Sequence, residues 1–301
     1  MQRLTIANRS QSANIHPFWH NYVDRFLQPS RHTLSKLVLY SDVPVGWFPK
    51  LDLRPILLER LRSLTLGHHI FHHDHQFDWI MSHGSTLEEL NLDRCSILYQ
   101  IGHCIEDWRD DEGYPIGKIT DTGELDYGYS LDPGFFEDNV DNDYVAYFHD
   151  FARRWHHVLP DFAANLPKLR TFRFGTSKQW NLNVESRYAG QRCLGSFSLP
   201  IMPWRDEENI VNSILDDRYM IWDDYQQKYR SHWRIEENAE TELCYRMSNG
   251  HGDQWPQDVS DQLQPFPDCE TEDRDALEQL LEVTRGGDRD IYMCKDAQGE
   301  I

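Results

Sequence analysis

His68, His69, His72, His73 and His75 share the stretch HHIFHHDH with Asp74, the chain's most suggestive chemical cluster. Imidazoles and a carboxylate spaced four apart on a helix can hold zinc, and a held zinc can activate water for hydrolysis. The stretch is not HExxH, however, and Gly67 puts its start at a strand end. A polar loop rim is therefore expected, with Ile70 and Phe71 turned inward. A metal-dependent hydrolase using this cluster stands as a further alternative, and no metal ligand is assigned.

Other catalytic signatures are missing. The chain has no GxSxG elbow and no P-loop, and Gly250 with Gly252 lacks the third Gly of a dinucleotide loop, where Trp255 stands. Asp138, Asp141 and Asp143 lack the Gly and terminal Glu of a calcium loop. Cys95, Cys104, Cys193, Cys244, Cys269 and Cys294 stand singly, with no CxxC pair, and read as reduced thiols. The expectation is a non-enzyme with no cofactor and no catalytic residues.

The elements that carry these residues show a repeat. Leu87, Leu90, Leu92 and Cys95 in TLEELNLDRC fit LxxLxLxxC, the consensus of a leucine-rich repeat. The LxxLxL core recurs at Leu34, Leu37, Leu39, at Leu61, Leu64, Leu66 and at Leu169, Phe172, Phe174, with a trace at Met1, Leu4, Ile6. Its central positions are 4, 37, 64, 90 and 172, and the steps of 27 and 26 residues match one such unit. Two apolar residues two apart face one side of a short strand, and their neighbours face the other. A Cys or Asn three after the last Leu can satisfy backbone groups where the chain bends, though only Cys95 supplies it; Asp42, His69 and Ser177 stand there elsewhere.

Return helices are legible between the strands. Asp74 is a candidate N-cap, Phe77, Ile80 and Met81 form a stripe, and His83-Gly84 is a stop. A second helix is expected from the stripe Tyr144, Phe148, Phe151, Trp155 and Val158, ended by Pro160. The fold class expected is α/β: a leucine-rich-repeat-like solenoid with a short-strand parallel sheet, return helices and a C-terminal cap. Residues 1–200 form the repeat domain, 201–287 the capping region and 288–301 a tail. In the cap, Tyr219-Met220-Ile221-Trp222 and His232-Trp233-Arg234-Ile235 read as two strands joined by DDYQQKYRS. Leu277, Leu280 and Leu281 mark one face of a last helix, Asp275 to Thr284.

The net charge is -20, from 30 Lys and Arg against 50 Asp and Glu. Such a balance argues against nucleic acid or an anionic membrane as principal partner. The acidity is uneven. Residues 106–143 carry 13 acids against Arg109 and Lys118, and residues 268–300 carry 11 against 4 bases, so the other 230 residues hold only -2. The acidic stretch, at about 104–143, reads as an insertion looping out between repeats. No apolar run suits a membrane span, and the opening residues lack a signal-peptide layout, so an intracellular protein, cytoplasmic or nuclear, is expected.

The stretches HTLSKLVLYSD, LRSLTLGHHIFHHDHQFDWIMSHGSTLEELNLDRCSILY and LPKLRTFRFG, with ILDDRYMIWD and DALEQLLEV later, resemble the leucine-rich portion of filamentous-fungal F-box-like proteins, over roughly residues 1–285. The resemblance implies the substrate receptor of a Skp-cullin ubiquitin ligase, whose repeats hold a protein target while an F-box docks the Skp adaptor. Met1 already takes the leading repeat position, so Skp is an expected partner only where an F-box lies upstream. A stand-alone scaffold or decoy that holds targets without recruiting the ligase is the alternative. Target binding is expected on the open strand face, at Lys36, Val38, Tyr40, Ser63, Thr65, Glu89, Asn91, Asp93, Thr171 and Arg173.

Overall fold

A computed structural model describes residues 2–8, 19, 22–48, 50–103, 110, 114, 118–119, 125–126, 147–177, 210–223, 228–230 and 266–284. The fold is mixed α/β, a curled sheet with a few helices. In chain order the strands are β1 (Gln2–Asn8), β2 (Leu34–Val45), β3 (Ser63–Phe71), β4 (Glu89–Asp93), β5 (Ser96–His103), β6 (Lys118–Ile119), β7 (Leu125–Asp126), β8 (Tyr147–Asp150), β9 (Thr171–Ser177), β10 (Ile210–Asn212), β11 (Tyr219–Asp223) and β12 (Lys228–Arg230). The α-helices are α1 (Asp74–Met81), α2 (Trp155–Asn165) and α3 (Glu270–Val283).

Strands β1, β2, β3, β4 and β9 lie parallel and adjacent. Their register is the one the repeat requires. Leu4 opposes Leu37, Leu37 opposes Leu64, Leu64 opposes Leu90 and Leu90 opposes Phe172; the second apolar position runs Ile6, Leu39, Leu66, Leu92, Phe174. The leading residues Leu34, Leu61, Leu87 and Leu169 are buried beside them. A side chain of this size contributes roughly 1.5–3 kcal/mol on burial, so each strand is held chiefly by this one face. β10 runs antiparallel to β9 and closes its edge, and the Asn212 side chain accepts from Phe174 N at 2.9 Å.

A second sheet branches from the first. After Gly67 the chain passes His68 at φ 60°, and after Asp93 it passes Arg94 at φ 52°. A left-handed residue at the same place in two successive strands turns the backbone out of the first sheet. Ile70 and Phe71 then pair with Ser96 and Ile97 of β5. β5 pairs further with β8 and with β11, which carries β12. Both faces of β5 and β11 contribute to buried clusters. Ile97, Tyr99, Tyr219 and Ile221 join the main core, while Leu98, Ile101, Met220 and Trp222 pack with Trp47, Ile70 and Tyr114 on the other side.

The helices depart from expectation in instructive ways. α1 starts with Asp74 inside it and His73 as its cap, and the Gln76 side chain accepts from His72 N at 2.7 Å and His73 N at 3.0 Å. α2 begins at Trp155, not near Tyr144; residues 147–150 are strand β8 instead. Pro160 does not end α2 but sits inside it. The proline forfeits one intrahelical hydrogen bond, and the burial of Trp155, Val158, Leu159 and Phe162 outweighs that loss. Trp155 alone meets Phe71, Phe77 and Phe174 at ring distances of 5.8, 6.1 and 4.7 Å. α3 buries Leu277, Leu280 and Leu281 as its stripe demands. The strand expected at 232–235 lies outside the described residues, and the partner of β11 is Lys228–Arg230, within the stretch read as a turn. No helix among the described residues is long and apolar enough to cross a membrane.

Gly67 is demanded by a neighbour. A Cβ there would lie 2.0 Å from Cδ1 of Tyr40, whose ring crosses β3 at this point. Gly67→Ala is expected to destabilise the fold by about 1–3 kcal/mol through overpacking. Urea unfolding of Gly67→Ala, Tyr40→Ala and the double variant checks this. The Gly67→Ala cost should largely vanish once Tyr40 is truncated.

Candidate functional site

The face of the parallel sheet opposite the leucines carries the residues expected to bind a target. By register they form rows: Lys36, Ser63, Glu89, Thr171; then Val38, Thr65, Asn91, Arg173; then Tyr40, Gly67, Asp93, Gly175. Hydrogen bonds run across these rows. Ser63 Oγ donates to Glu89 at 2.6 Å, Arg173 Nη1 to Glu89 at 2.8 Å and to Asn91 Oδ1 at 2.9 Å, and Asn91 Nδ2 to Thr65 Oγ1 at 3.0 Å. Tyr40 OH reaches over Gly67 to Asp93 Oδ2 at 2.7 Å. Burial works to raise the Glu89 pKa, but the hydrogen bonds from Ser63, Asn91 and Arg173 and the charge of Lys36 overcome it. The carboxyl is held below its ordinary range.

This polar layer is more closed than an open face. Val38, Tyr40, Ser63, Thr65, Asn91 and Asp93 are buried, while Lys36, Glu89, Thr171 and Arg173 are half-buried. The ten positions expected to bind a target were read as lying on an open face; six of them are buried within the fold. Short polar side chains bond along the rows, and Tyr40 lies across its neighbouring strand, so these groups are used by one another.

The histidines are also corrected, from a loop rim to the interior. His68, His69 and His72 are buried because β3 continues to Phe71 and is packed on both sides. Burial pushes His69 down to about 3, so its ring is neutral. The cleft beside it is lined mainly by apolar side chains, among them Leu51, Leu53, Phe71, Trp79 and Ile80. His72 Nδ1 lies 2.8 Å from the Leu98 carbonyl oxygen, which fixes the proton on that nitrogen. His73 and His75 stack at 4.9 Å, and His75 Nε2 meets Tyr114 OH at 2.9 Å. In the turn after α1, His83 Nε2 accepts from Leu58 N at 3.2 Å and Nδ1 donates to Trp79 O at 2.8 Å, a neutral ring with both nitrogens used. No three ligand atoms from residues 68–75 converge, and the metal-hydrolase alternative is not supported by geometry among the described residues.

Tyr114 shows that the acidic stretch does not simply loop out. It is buried against Trp47 and Trp222, its N–H donates to Asp110 Oδ1 at 2.9 Å, and Lys50 Nζ sits 4.2 Å above its ring while bonding Asp110 Oδ2 at 2.6 Å. The rest of that stretch lies largely outside the described residues.

One constellation was not foreseen. His156, Cys269 and Asp273 bring ligand atoms within 4.8 Å of one another, the side chains of a thiol nucleophile or of a metal site. The bonding shows otherwise. The buried Asp273 carboxylate accepts from His156 N and Nδ1, both 3.0 Å, from Arg218 Nε at 2.9 Å and from Tyr219 OH at 2.9 Å. An arginine already binds the carboxylate that a metal would need. Burial, first, and the Asp273 charge push the Cys269 thiol up to about 11 against its hydrogen bond with Tyr219, so it stays protonated and a weak nucleophile. Tyr219 OH accepts from Trp155 N at 2.8 Å. Together, Asp273 and Tyr219 satisfy the first two N–H groups of α2 from other elements, a cap supplied in trans. The signal in the sequence was an acid on an apolar stripe, since Asp273 lies four residues before Leu277.

Cys95 does what the repeat consensus asks: its Sγ donates to Leu66 O at 3.3 Å, across the bend after β4.

Asp273→Asn should cost about 3–5 kcal/mol, because it strands the buried Arg218 guanidinium. Chemical denaturation checks it. A second expectation concerns acid. His69 and His83 have pKa values depressed below 6.5 by burial, so the stability they support is complete above pH 6.5 and falls as they are forced to take protons below it. His69 alone gives a slope of about 1.4 kcal/mol per pH unit between pH 6.5 and 5. Urea titrations at pH 7, 6 and 5 should show that slope shrink in His69→Gln.

No protein-family model, no curated protein and no solved structure matches this chain.

Proposed function

We propose that the chain is a non-catalytic protein-binding module built as a leucine-rich-repeat solenoid, of the kind that holds the target in an F-box receptor of a Skp-cullin ubiquitin ligase. The observation that carries this reading is the shared register of five parallel strands in chain order, each contributing one LxxLxL unit at the same height. Parallel strands repeat side chains about every 4.8 Å across a surface, which suits the recognition of an extended protein partner. The chemistry of the buried groups agrees with a binding role. Asp273 is saturated, Cys269 is protonated, and His69 and His83 are neutral and enclosed.

Cross-linking mass spectrometry on complexes recovered from cells tests the reading. Amine-reactive links to the bound partner are expected at Lys36 and Lys168, at the ends where the strands begin. Links confined to other lysines would contradict it. Ligase membership is tested separately with purified Skp. Direct binding to the 301-residue chain assigns a ligase subunit, and target capture without Skp binding assigns the stand-alone scaffold.

A further inference from the structure

We infer that the edge where the parallel strands begin is a docking rim for an acidic, extended protein segment. The inference rests on the protein-binding reading above and names the chemistry of the partner.

Two repeats carry the same basic unit. Arg60-Leu61-Arg62-Ser63 leads into β3 and Lys168-Leu169-Arg170-Thr171 leads into β9, and in each the Leu is buried while its two basic neighbours face out. Arg60, Arg62, Lys168 and Arg170 are all exposed. Backbone hydrogen bonds set their order. Arg62 N donates to Ser35 O, Glu88 N to Arg62 O, and Arg170 N to Glu88 O, each at 2.8 Å. Arg62, Glu88 and Arg170 therefore stand side by side immediately before β3, β4 and β9. Half-buried Lys36 begins the next row.

The acids on this edge do not neutralise it. Glu88 pairs with Arg62 at 3.4 Å, and Glu59 pairs with His32 at 2.9 Å. Glu89 is consumed inside the polar layer by Arg173. Arg60, Lys168 and Arg170 have no ion-pair partner among the described residues. In a chain of net charge -20, a strip of uncompensated cations on one sheet edge is a local reversal of sign.

Geometry selects the ligand. The two basic units are two strand spacings apart, about 10 Å. A peptide extended as polyproline II advances about 3.1 Å per residue with three residues per turn, so carboxylates three residues apart share one face, about 9 Å apart, and meet both units. Arginine also binds carboxylates in a two-pronged fashion. A nucleic acid needs a longer basic footprint than these two units offer, so an acidic peptide is favoured.

The test is fluorescence anisotropy on the full chain with three labelled probes: a ten-residue peptide with Glu at every third position, the same peptide with Gln, and a ten-nucleotide oligothymidylate. The Glu peptide should bind, weaken with salt, and bind about tenfold less tightly to Arg60→Glu/Arg170→Glu. Arg274→Glu on α3, outside the rim, should change affinity less than about twofold and so exclude a general charge effect. The rim side chains are exposed, and circular dichroism verifies that every variant is folded. Equal binding of the Glu and Gln peptides, indifference to the rim reversal, or tighter rim-dependent binding of the oligonucleotide would overturn the inference. If cellular partners still cross-link at the strand beginnings in that event, the inference fails and the protein-binding reading stands.

Discussion

Register between parallel strands is the constraint on which this molecule depends. Side chains alternate with a period of two, so a slip of one residue in any strand would move its leucines to the polar face and its polar residues into the core. The pairing of Leu37, Leu64, Leu90 and Phe172 fixes one face, and the same pairing brings Ser63, Glu89 and Arg173 within hydrogen-bonding reach on the other. Core and polar layer are two readings of one alignment. Tyr40 over Gly67 adds a lock, because the ring fits across β3 only where the neighbour has no side chain.

From that alignment the second sheet follows. Left-handed residues at His68 and Arg94 leave the first sheet at the same height in neighbouring strands, so the segments after them remain parallel and pair again as the end of β3 and the start of β5. Arg94 is anchored as well, with N donating to Gly175 O at 2.7 Å and Nη2 to Asp217 at 3.0 Å. The branching places apolar residues on both faces of β5 and β11, and the burial that results encloses His69 and keeps its ring neutral.

Asp273 shows how chemistry and architecture compete for the same residues. A carboxylate, a thiol and an imidazole in contact could make a reactive centre, yet an arginine, a tyrosine and a helix N-terminus claim the carboxylate first. Its work is to join α3, β11 and the start of α2.

The repeat positions, the inward residues of each strand, the role of Cys95 and the apolar faces of α1 and α3 were legible in the sequence, because each follows from spacing over a few residues. The extent of α2 was not, since local propensity places a break at Pro160 that packing around Trp155 overrides. Nor was the closure of the polar face, the burial of His69, the docking of Tyr114 or the Asp273 cluster. Those depend on partners far along the chain: Tyr40 and Asp93 are 53 residues apart, His75 and Tyr114 39, and His156 and Asp273 117. Periodicity tells which way a side chain points relative to its own backbone. Only the tertiary structure decides what it meets there, because burial and ionisation are properties of the surroundings that distant segments bring.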